Sequence, residues 1–319
     1  MRVALFSVVV ALTAYGCSAT GDDNEFGAGG GGGEGGSGTM AGGMSGVGGS
    51  FTTSNGAGGG GGGCGEAAKL VYVLSDENDL YSFDPPAKKF TLIGPLGCPT
   101  SMQPNSMAID REANAYVNYV QSDDSAGAIF KVSTVDASCQ ATNISLEAGW
   151  YRLGMGFSTD AIDATSETLF VTGTASANGS SPGLGRIDFK SGQVVPVGAF
   201  TGPLQGEDAE LTGTGAAKLF GFFTTTPVQV AEIDKLSGAI VAAKSLPNVE
   251  TPAAWAFSFW GGAFYLYTAP NPIFDPTRTT NVTHYVFPDG PTDTAYMENI
   301  GFRIVGAGVS TCAPVEPPK

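Results

Sequence analysis

Short segments of alternating apolar and polar residues recur along the chain between about Cys64 and Pro314. Five of them begin near Leu70, Ala115, Leu169, Leu219 and Phe264, at intervals of 45, 54, 50 and 45 residues. Alternation with a period of two is typical of a half-buried β-strand. Self-similarity at a spacing of about 50 residues indicates a repeat architecture rather than a chain of unrelated strands.

Each repeat has room for four strands. The alternating segment is followed by a second strand, such as "VAEID" at Val230, and then by a third, such as "QVVPVG" at Gln193. Four of the alternating segments are also preceded by a strand of small residues, "SMAID", "GMGFS", "AELTG" or "AWAFS". Four strands per unit of about 50 residues is typical of the blades of a β-propeller, in which small residues suit the crowded innermost strand.

The first repeat has no small-residue strand of its own, because it begins directly at "KLVYVLS". The segment "FRIVGAGVS" near the C-terminus contains Gly306, Ala307 and Gly308 and is not used by any other repeat. We therefore predict an all-β, five-bladed β-propeller in which the C-terminal strand closes the first blade. Closure of the ring removes exposed sheet edges, and we find no sixth repeat.

The N-terminus reads as an export signal followed by a tether. One basic residue precedes an apolar run from Val3 to about Leu12, which is too short to span a membrane. The ending "AYGC" resembles a bacterial lipobox, which makes Cys17 the predicted lipidation site; an ordinary signal peptide with a chance cysteine is the alternative. Between Ser18 and Gly63, 22 of 46 residues are glycine, so we expect disorder.

These features divide the chain into four parts. Residues 1–16 are predicted as a lipoprotein signal peptide, 17–63 as a disordered Gly-rich tether, 64–314 as the propeller and 315–319 as a C-terminal tail. We expect the protein to be exported and held at the cell envelope, at the outer membrane or cell surface, by its N-terminal lipid alone. A low-complexity remnant without an anchoring role is the alternative for the tether.

Four cysteines remain beyond Cys17, an even number in an exported chain. The closing strand should run antiparallel to "KLVYVLS", which brings Cys312 close to Cys64. Cys98 and Cys139 then form the second predicted disulfide, between the first two blades. A zinc site is the rival hypothesis, but no CxxC or Cys/His spacing supports it.

The charge excludes some function classes. A formal net charge of −15 and a pI of about 4.3 disfavour nucleic acid, whose phosphates need clustered Lys and Arg. The chain has one histidine, His284, in the strand "NVTHYVF" away from the predicted axis. A Ser-His-Asp site would depend on that residue, and we expect it to be structural.

The loops that enter the innermost strands bring polar and aromatic residues toward one rim of the channel. Such convergence is typical of a ligand site, and the alternative is a structural rim whose charges satisfy one another. The predicted ligand-binding residues are Asn105, Arg152, Asp208, Glu210, Trp255 and Arg303.

Two functions remain open. The first is a monomeric binding module, without cofactor or catalysis, for an extracytoplasmic protein, peptide or glycan. The second is a metal-dependent, lactonase-like hydrolase that would use Glu210, Asn105 and Asp208, as propellers of the regucalcin family use Glu, Asn and Asp. Two Asp-rich loops, "SDENDL" and "QSDDSAG", suggest Ca²⁺ as a ligand, and turn-forming aspartates explain them as well.

Five stretches resemble the exported lipoprotein β-propellers of myxobacteria and related bacteria: "AYGC", the glycine tether, "LYSFDPPAKKFTLIG", "AEIDKLSGAI" and "GFRIVGAGVS". The resemblance implies a fold and a cellular address, and it implies no particular reaction.

The lipidation hypothesis makes a direct prediction. Mass spectrometry of the mature protein should show an N-terminus at Cys17 that carries a diacylglyceryl group. An unmodified cysteine at that position would contradict it.

Overall fold

The computed structural model describes residues 64–174 and 179–318, and it is built almost entirely from β-strands. The predicted signal peptide, Cys17 and the predicted tether lie outside the described residues. Two 3₁₀ turns, Glu66–Lys69 and Gly202–Leu204, accompany twenty strands. The strands are β1 (Val71–Ser75), β2 (Asp79–Asp84), β3 (Lys89–Pro95), β4 (Gln103–Ile109), β5 (Asn114–Val120), β6 (Gly127–Ser133), β7 (Cys139–Ala141), β8 (Leu153–Thr159), β9 (Glu167–Gly173), β10 (Gly183–Asp188), β11 (Gln193–Gly198), β12 (Ala209–Gly213), β13 (Leu219–Phe223), β14 (Gln229–Ile233), β15 (Ile240–Ser245), β16 (Ala254–Trp260), β17 (Ala263–Ala269), β18 (Asn281–Tyr285), β19 (Thr292–Met297) and β20 (Ile304–Val309).

The strands form five antiparallel sheets of four strands each, which confirms the five-bladed propeller. The orders are β20-β1-β2-β3, β4-β5-β6-β7, β8-β9-β10-β11, β12-β13-β14-β15 and β16-β17-β18-β19, and they define blades one to five. The innermost strands β4, β8, β12, β16 and β20 each contact the next around the ring, and β20 contacts β4. The ring is therefore closed.

The C-terminal strand completes the first blade as predicted. β20 pairs antiparallel with β1, with Val309 opposite Val71 and Ala307 opposite Val73. The first blade thus joins the two ends of the propeller, so hydrogen bonds between the earliest and latest strands hold the ring together.

Apolar side chains fill the spaces between neighbouring blades. Five buried clusters are present, one for each blade interface. Between blades four and five, for example, Phe222 packs with Phe257 and Phe264. Because both faces of every sheet meet another blade, strands such as β8 and β17 are buried along their whole length.

The innermost strands approach one another so closely that some positions have no space for a side chain. A Cβ atom on Gly154 of β8 would lie 2.0 Å from the carbonyl oxygen of Ala209 in β12. A Cβ atom on Gly213 of β12 would lie 2.1 Å from the carbonyl oxygen of Phe157 in β8. The small residues that identified these strands in the sequence are therefore required by backbone contact between blades.

Both predicted disulfides are present. Cys64 is bonded to Cys312 and Cys98 to Cys139, with Cα–Cα distances of 5.7 and 5.0 Å. The first closes a loop with a sequence separation of 248 residues, and such long-loop crosslinks contribute about 3–5 kcal/mol in the chain-entropy model. Paired cysteines of this kind indicate an oxidising, extracytoplasmic environment.

Two hydrogen bonds reinforce the Cys64–Cys312 junction. The indole N–H of Trp260 donates to the Lys69 carbonyl oxygen at 2.8 Å, and the Ser310 hydroxyl donates to the Ala68 carbonyl oxygen at 2.6 Å.

Within residues 64–174 and 179–318, no helix is long and apolar enough to cross a membrane.

The contact between β8 and β12 predicts the effect of one added methyl group. Gly154→Ala should destabilise the protein by at least about 2 kcal/mol, because a backbone carbonyl cannot give way as a flexible side chain would. Urea unfolding would measure the change. Gly97→Ala is the matched control, since a Cβ atom there meets nothing within 4 Å; equal stability of the two variants would contradict the argument.

Candidate functional site

A cavity of about 370 Å³ lies at the mouth of the central channel, where all five innermost strands begin. Its polar lining residues are Asp76, Gln103, Asn105, Arg152, Thr174, Glu210 and Arg303. Its other lining residues are Pro104, Leu153, Ala209, Ala253, Ala254, Trp255 and Val305. Every blade contributes to this one site because the start of each inner strand points at the same axis.

Five of the six residues predicted from the sequence line this cavity. They are Asn105, Arg152, Glu210, Trp255 and Arg303. Asp208 is half-buried directly before β12 and is not among the lining residues. Asp208 precedes the first residue of β12, so the regular alternation of the strand does not fix its side chain on the same face as Glu210.

The sequence reasoning missed Gln103, Thr174 and Asp76. Gln103 was overlooked because β4 begins three residues before the apolar stretch "SMAID" that marked the strand. Thr174 and Asp76 lie just beyond β9 and β1, in turns that were not assigned to the rim. Both strands run antiparallel to an inner strand and therefore end at the mouth. The order of the strands along the chain is enough to predict this direction.

Glu210 closes the floor of the cavity. Its side chain is buried, with 5% of the residue exposed, and Ser106 donates a hydrogen bond to Oε2 at 2.8 Å. Ser106 is in blade two and Glu210 in blade four, so this bond links two blades that are not neighbours in the ring. The Met155 backbone N–H also hydrogen-bonds to the carboxyl group.

Burial determines the protonation of Glu210. Loss of solvation raises its pKa well above the usual range of a glutamic acid, against the opposing effects of Ser106, Met155 and the positive charge of Arg152. A neutral carboxyl group at the floor both donates and accepts hydrogen bonds, whereas an ionised one only accepts.

Arg152 is held by two partners on the rim. Its Nε and Nη2 lie 2.9 Å from Oδ1 of Asp124, and its Nη1 donates to Oδ1 of Asn105 at 2.7 Å. The Asn105 amide in turn donates to the Leu153 carbonyl oxygen at 2.7 Å and to Oδ1 of Asn118 at 3.0 Å. The side chains of Arg152 and Asn105 are therefore fixed in place before any ligand arrives.

Asn118 anchors this network from below. It is fully buried, and its Oδ1 accepts a hydrogen bond from the Leu153 backbone N–H at 3.0 Å. Its Nδ2 donates to the Tyr151 carbonyl oxygen at 3.0 Å. One asparagine of blade two thus positions the loop that carries Arg152 into blade three.

Arg303 is held more loosely. Its Nη1 donates to the Pro270 carbonyl oxygen at 2.5 Å, and its Nε lies 3.9 Å from Oδ2 of Asp76, the outer limit of an ion pair. Burial lowers the pKa of the guanidinium, and Asp76 opposes that shift. For Asp76, burial raises the pKa and Arg303 lowers it.

Trp255 places an aromatic ring in the wall of the cavity. Its ring packs against the apolar cluster between blades four and five. Its indole N–H is shielded from solvent and has no hydrogen-bond partner among the described residues. A buried donor without a partner costs about 1–3 kcal/mol.

Two of the residues proposed for a metal site, Glu210 and Asn105, are engaged by other groups in this arrangement. Burial favours the protonated form of Glu210, and Oδ1 of Asn105 already accepts from Arg152. Across residues 64–174 and 179–318, no group of three or more His, Cys, Asp or Glu side chains is placed to hold a metal ion.

The Asp-rich loops use their carboxylates within the protein. Asp123 accepts hydrogen bonds from the backbone N–H and the hydroxyl of Ser125, while Asp124 pairs with Arg152. Asp76 faces Arg303 in the other loop. These contacts match the turn-forming alternative.

His284 lies far from the mouth in strand order. It is half-buried in β18, the third strand of blade five, and its ring stacks on Tyr296 with ring centroids 5.3 Å apart. Burial lowers its pKa, partly opposed by Asp293. The histidine packs between outer strands as expected.

No protein-family model matches the chain, and no curated protein matches it. Among solved structures, hydrazine synthase of Kuenenia stuttgartiensis is 14% identical with a TM-score of 0.38, covering 70% of this chain and 65% of its own. The chain thus spans less than two thirds of that protein.

Two further solved structures show similar likenesses. Regucalcin from Agrobacterium tumefaciens, a calcium-binding protein, is 13% identical with a TM-score of 0.43, over 80% of this chain and 77% of its own. A protein of unknown function from Bacteroides caccae is 11% identical with a TM-score of 0.36, over 75% and 97%. At these values the likenesses carry no argument about activity, and the class, a five-bladed β-propeller, rests on the strand order.

The raised pKa of Glu210 predicts a pH-dependent stability. A proton held in the folded state contributes stability that is present below the ordinary carboxyl pKa and is lost as pH rises toward the folded-state pKa, by up to about 1.4 kcal/mol per pH unit. Thermal unfolding from about pH 5 to about pH 8 should therefore show a smaller fall in Tm for Glu210→Gln than for the wild type.

The comparison of the wild type with Glu210→Gln isolates the contribution of the Glu210 carboxyl group. Glu167, whose pKa burial raises to about 7, is the same in both proteins and cancels. Exposed Glu112→Gln is the control and should follow the wild type. Parallel pH profiles for wild type and Glu210→Gln would show that the carboxyl group is ionised in the folded protein.

Proposed function

We propose that the protein is a non-catalytic binding module of the cell envelope, and that its mouth cavity receives an exposed part of an extracytoplasmic protein, peptide or glycan. The observation that carries this proposal is the convergence of all five inner strands on one polar cavity with a tryptophan in its wall. A concave site with a few fixed polar groups is the usual form of a ligand pocket.

The network beneath the rim supports binding rather than turnover. Arg152 and Asn105 are held by Asp124, Asn118 and the Leu153 carbonyl oxygen. Side chains held in this way lose little entropy when a ligand arrives, which favours affinity. The described lining has no histidine or cysteine to act as base or nucleophile.

The place where the chain enters the propeller supports the proposed anchor. Cys64 is bonded to Cys312, which follows the last residue of β20, whereas the cavity lies where β20 begins. A tether that ends at Cys64 would therefore join the propeller at the end opposite the cavity. With a lipid on Cys17, this arrangement leaves the mouth free to face away from the membrane.

A substitution that fills the mouth cavity tests the proposal. The wild-type protein should bind members of a panel of extracytoplasmic glycans and peptides, and Ala253→Trp should weaken that binding by about tenfold or more, because the new ring would occupy the cavity. Ala253 is exposed on the rim, so the substitution should leave Tm unchanged.

Ala87→Trp is the matched control, since Ala87 is exposed in the β2–β3 turn, away from the residues that line the mouth. It should bind as the wild type does. Undiminished binding by Ala253→Trp would place the ligand site elsewhere, and hydrolysis of a panel member by the wild type would overturn the non-catalytic assignment.

A further inference from the structure

We propose that the group held in the mouth cavity is a carboxylate, and that Arg303 is its recognition group. This inference rests on the proposed function and specifies its ligand class. It follows from a guanidinium group in the cavity wall that the described protein leaves without a closely paired anion.

Arg303 is largely shielded from solvent. Its side chain is only 16% exposed, so the guanidinium has lost much of its hydration. Its acidic neighbour, Asp76, approaches no closer than 3.9 Å and is itself 44% exposed. A buried cation normally has a closely paired anion, and the protein supplies Arg303 with a carbonyl oxygen and a distant carboxylate instead.

Arg152, in the same cavity, has close partners for its guanidinium nitrogens. Asp124 lies 2.9 Å from two of its nitrogens, and Asn105 occupies a third. Both arginines line the site, but only Arg303 retains the capacity for a closely bound anion. The asymmetry places the anion on the side of the mouth formed by blade one.

A carboxylate suits the unmet needs of Arg303. It has two oxygens that accept hydrogen bonds from a guanidinium, and its charge compensates that of the arginine. A neutral hydroxyl or amide would leave the charge of Arg303 without a close anion.

The wider charge makes this selectivity informative. The chain has a net charge of −15, so its general surface repels acids. Preference for an acidic ligand must therefore arise locally, at the guanidinium group of Arg303. Added salt should weaken such binding because it screens the attraction.

The experiment compares acids with neutral molecules of nearly the same shape. Calorimetry of the purified full chain would use glucuronate against glucose, and N-acetyl-dialanine against its C-terminal amide. In at least one pair the acid should bind about tenfold more tightly than its neutral twin. A sugar-acid preference would indicate a glycan source for the carboxylate, and a peptide-acid preference would indicate a peptide C-terminus.

Two variants should change the affinity in opposite directions, and a third serves as the control. Arg303→Gln should reduce affinity for the preferred acid by about tenfold, whereas Asp76→Asn should increase it several-fold because a competing carboxylate is removed. Arg186→Gln, at an exposed position of β10 away from the mouth, is the control and should not change binding. The Asp76 variant keeps the test decisive even where Arg303→Gln lowers stability.

The possible outcomes distinguish a failure of the carboxylate assignment from a failure of the proposed function. Equal binding of acid and neutral twin, no binding by either acid, or unchanged affinity in Asp76→Asn would overturn the carboxylate assignment. If neutral panel members bind and Ala253→Trp abolishes that binding, the proposed function stands and the carboxylate assignment alone fails.

Discussion

The close approach of the five innermost strands is the constraint on which the rest of this protein depends. Backbone meets backbone at Gly154 and Gly213, so the inner strands leave little space along the axis. The starts of the same five strands line the mouth cavity, and Glu210 of β12 bonds there to Ser106 of β4. The packing that closes the ring therefore also brings the residues of the mouth together.

Charge at the mouth is arranged in unequal pairs. Arg152 has a close carboxylate and an amide, Arg303 has a distant carboxylate, and Glu210 is buried where its neutral form is favoured. The two arginines differ from each other only in their surroundings, because two exposed arginines would behave alike. Glu210 differs from an exposed glutamate for the same reason. The mouth therefore combines one arginine that has no close carboxylate partner with a rigid, already satisfied network.

Much of the architecture could be predicted because it depends on local patterns. Period-two alternation identified the strands, and the repeat of about 50 residues identified the blades. The small residues Gly306, Ala307 and Gly308 identified β20 as an inner strand, and antiparallel pairing then brought Cys312 to Cys64. The predicted site was less complete: Asp208 does not line the cavity, whereas Asp76, Gln103 and Thr174 do.

By itself, the sequence determined the number of blades, the strand that closes the ring, both disulfides and the loops that enter the inner strands at the rim. These properties follow from periodicity and chain direction, which are written along the chain. Only the tertiary structure decided which side chains share an environment: that Ser106 meets Glu210 of a blade that is not its neighbour, and that Arg152 is satisfied while Arg303 is not. Such differences depend on burial and on partners more than 25 residues away in sequence, and no local pattern encodes them.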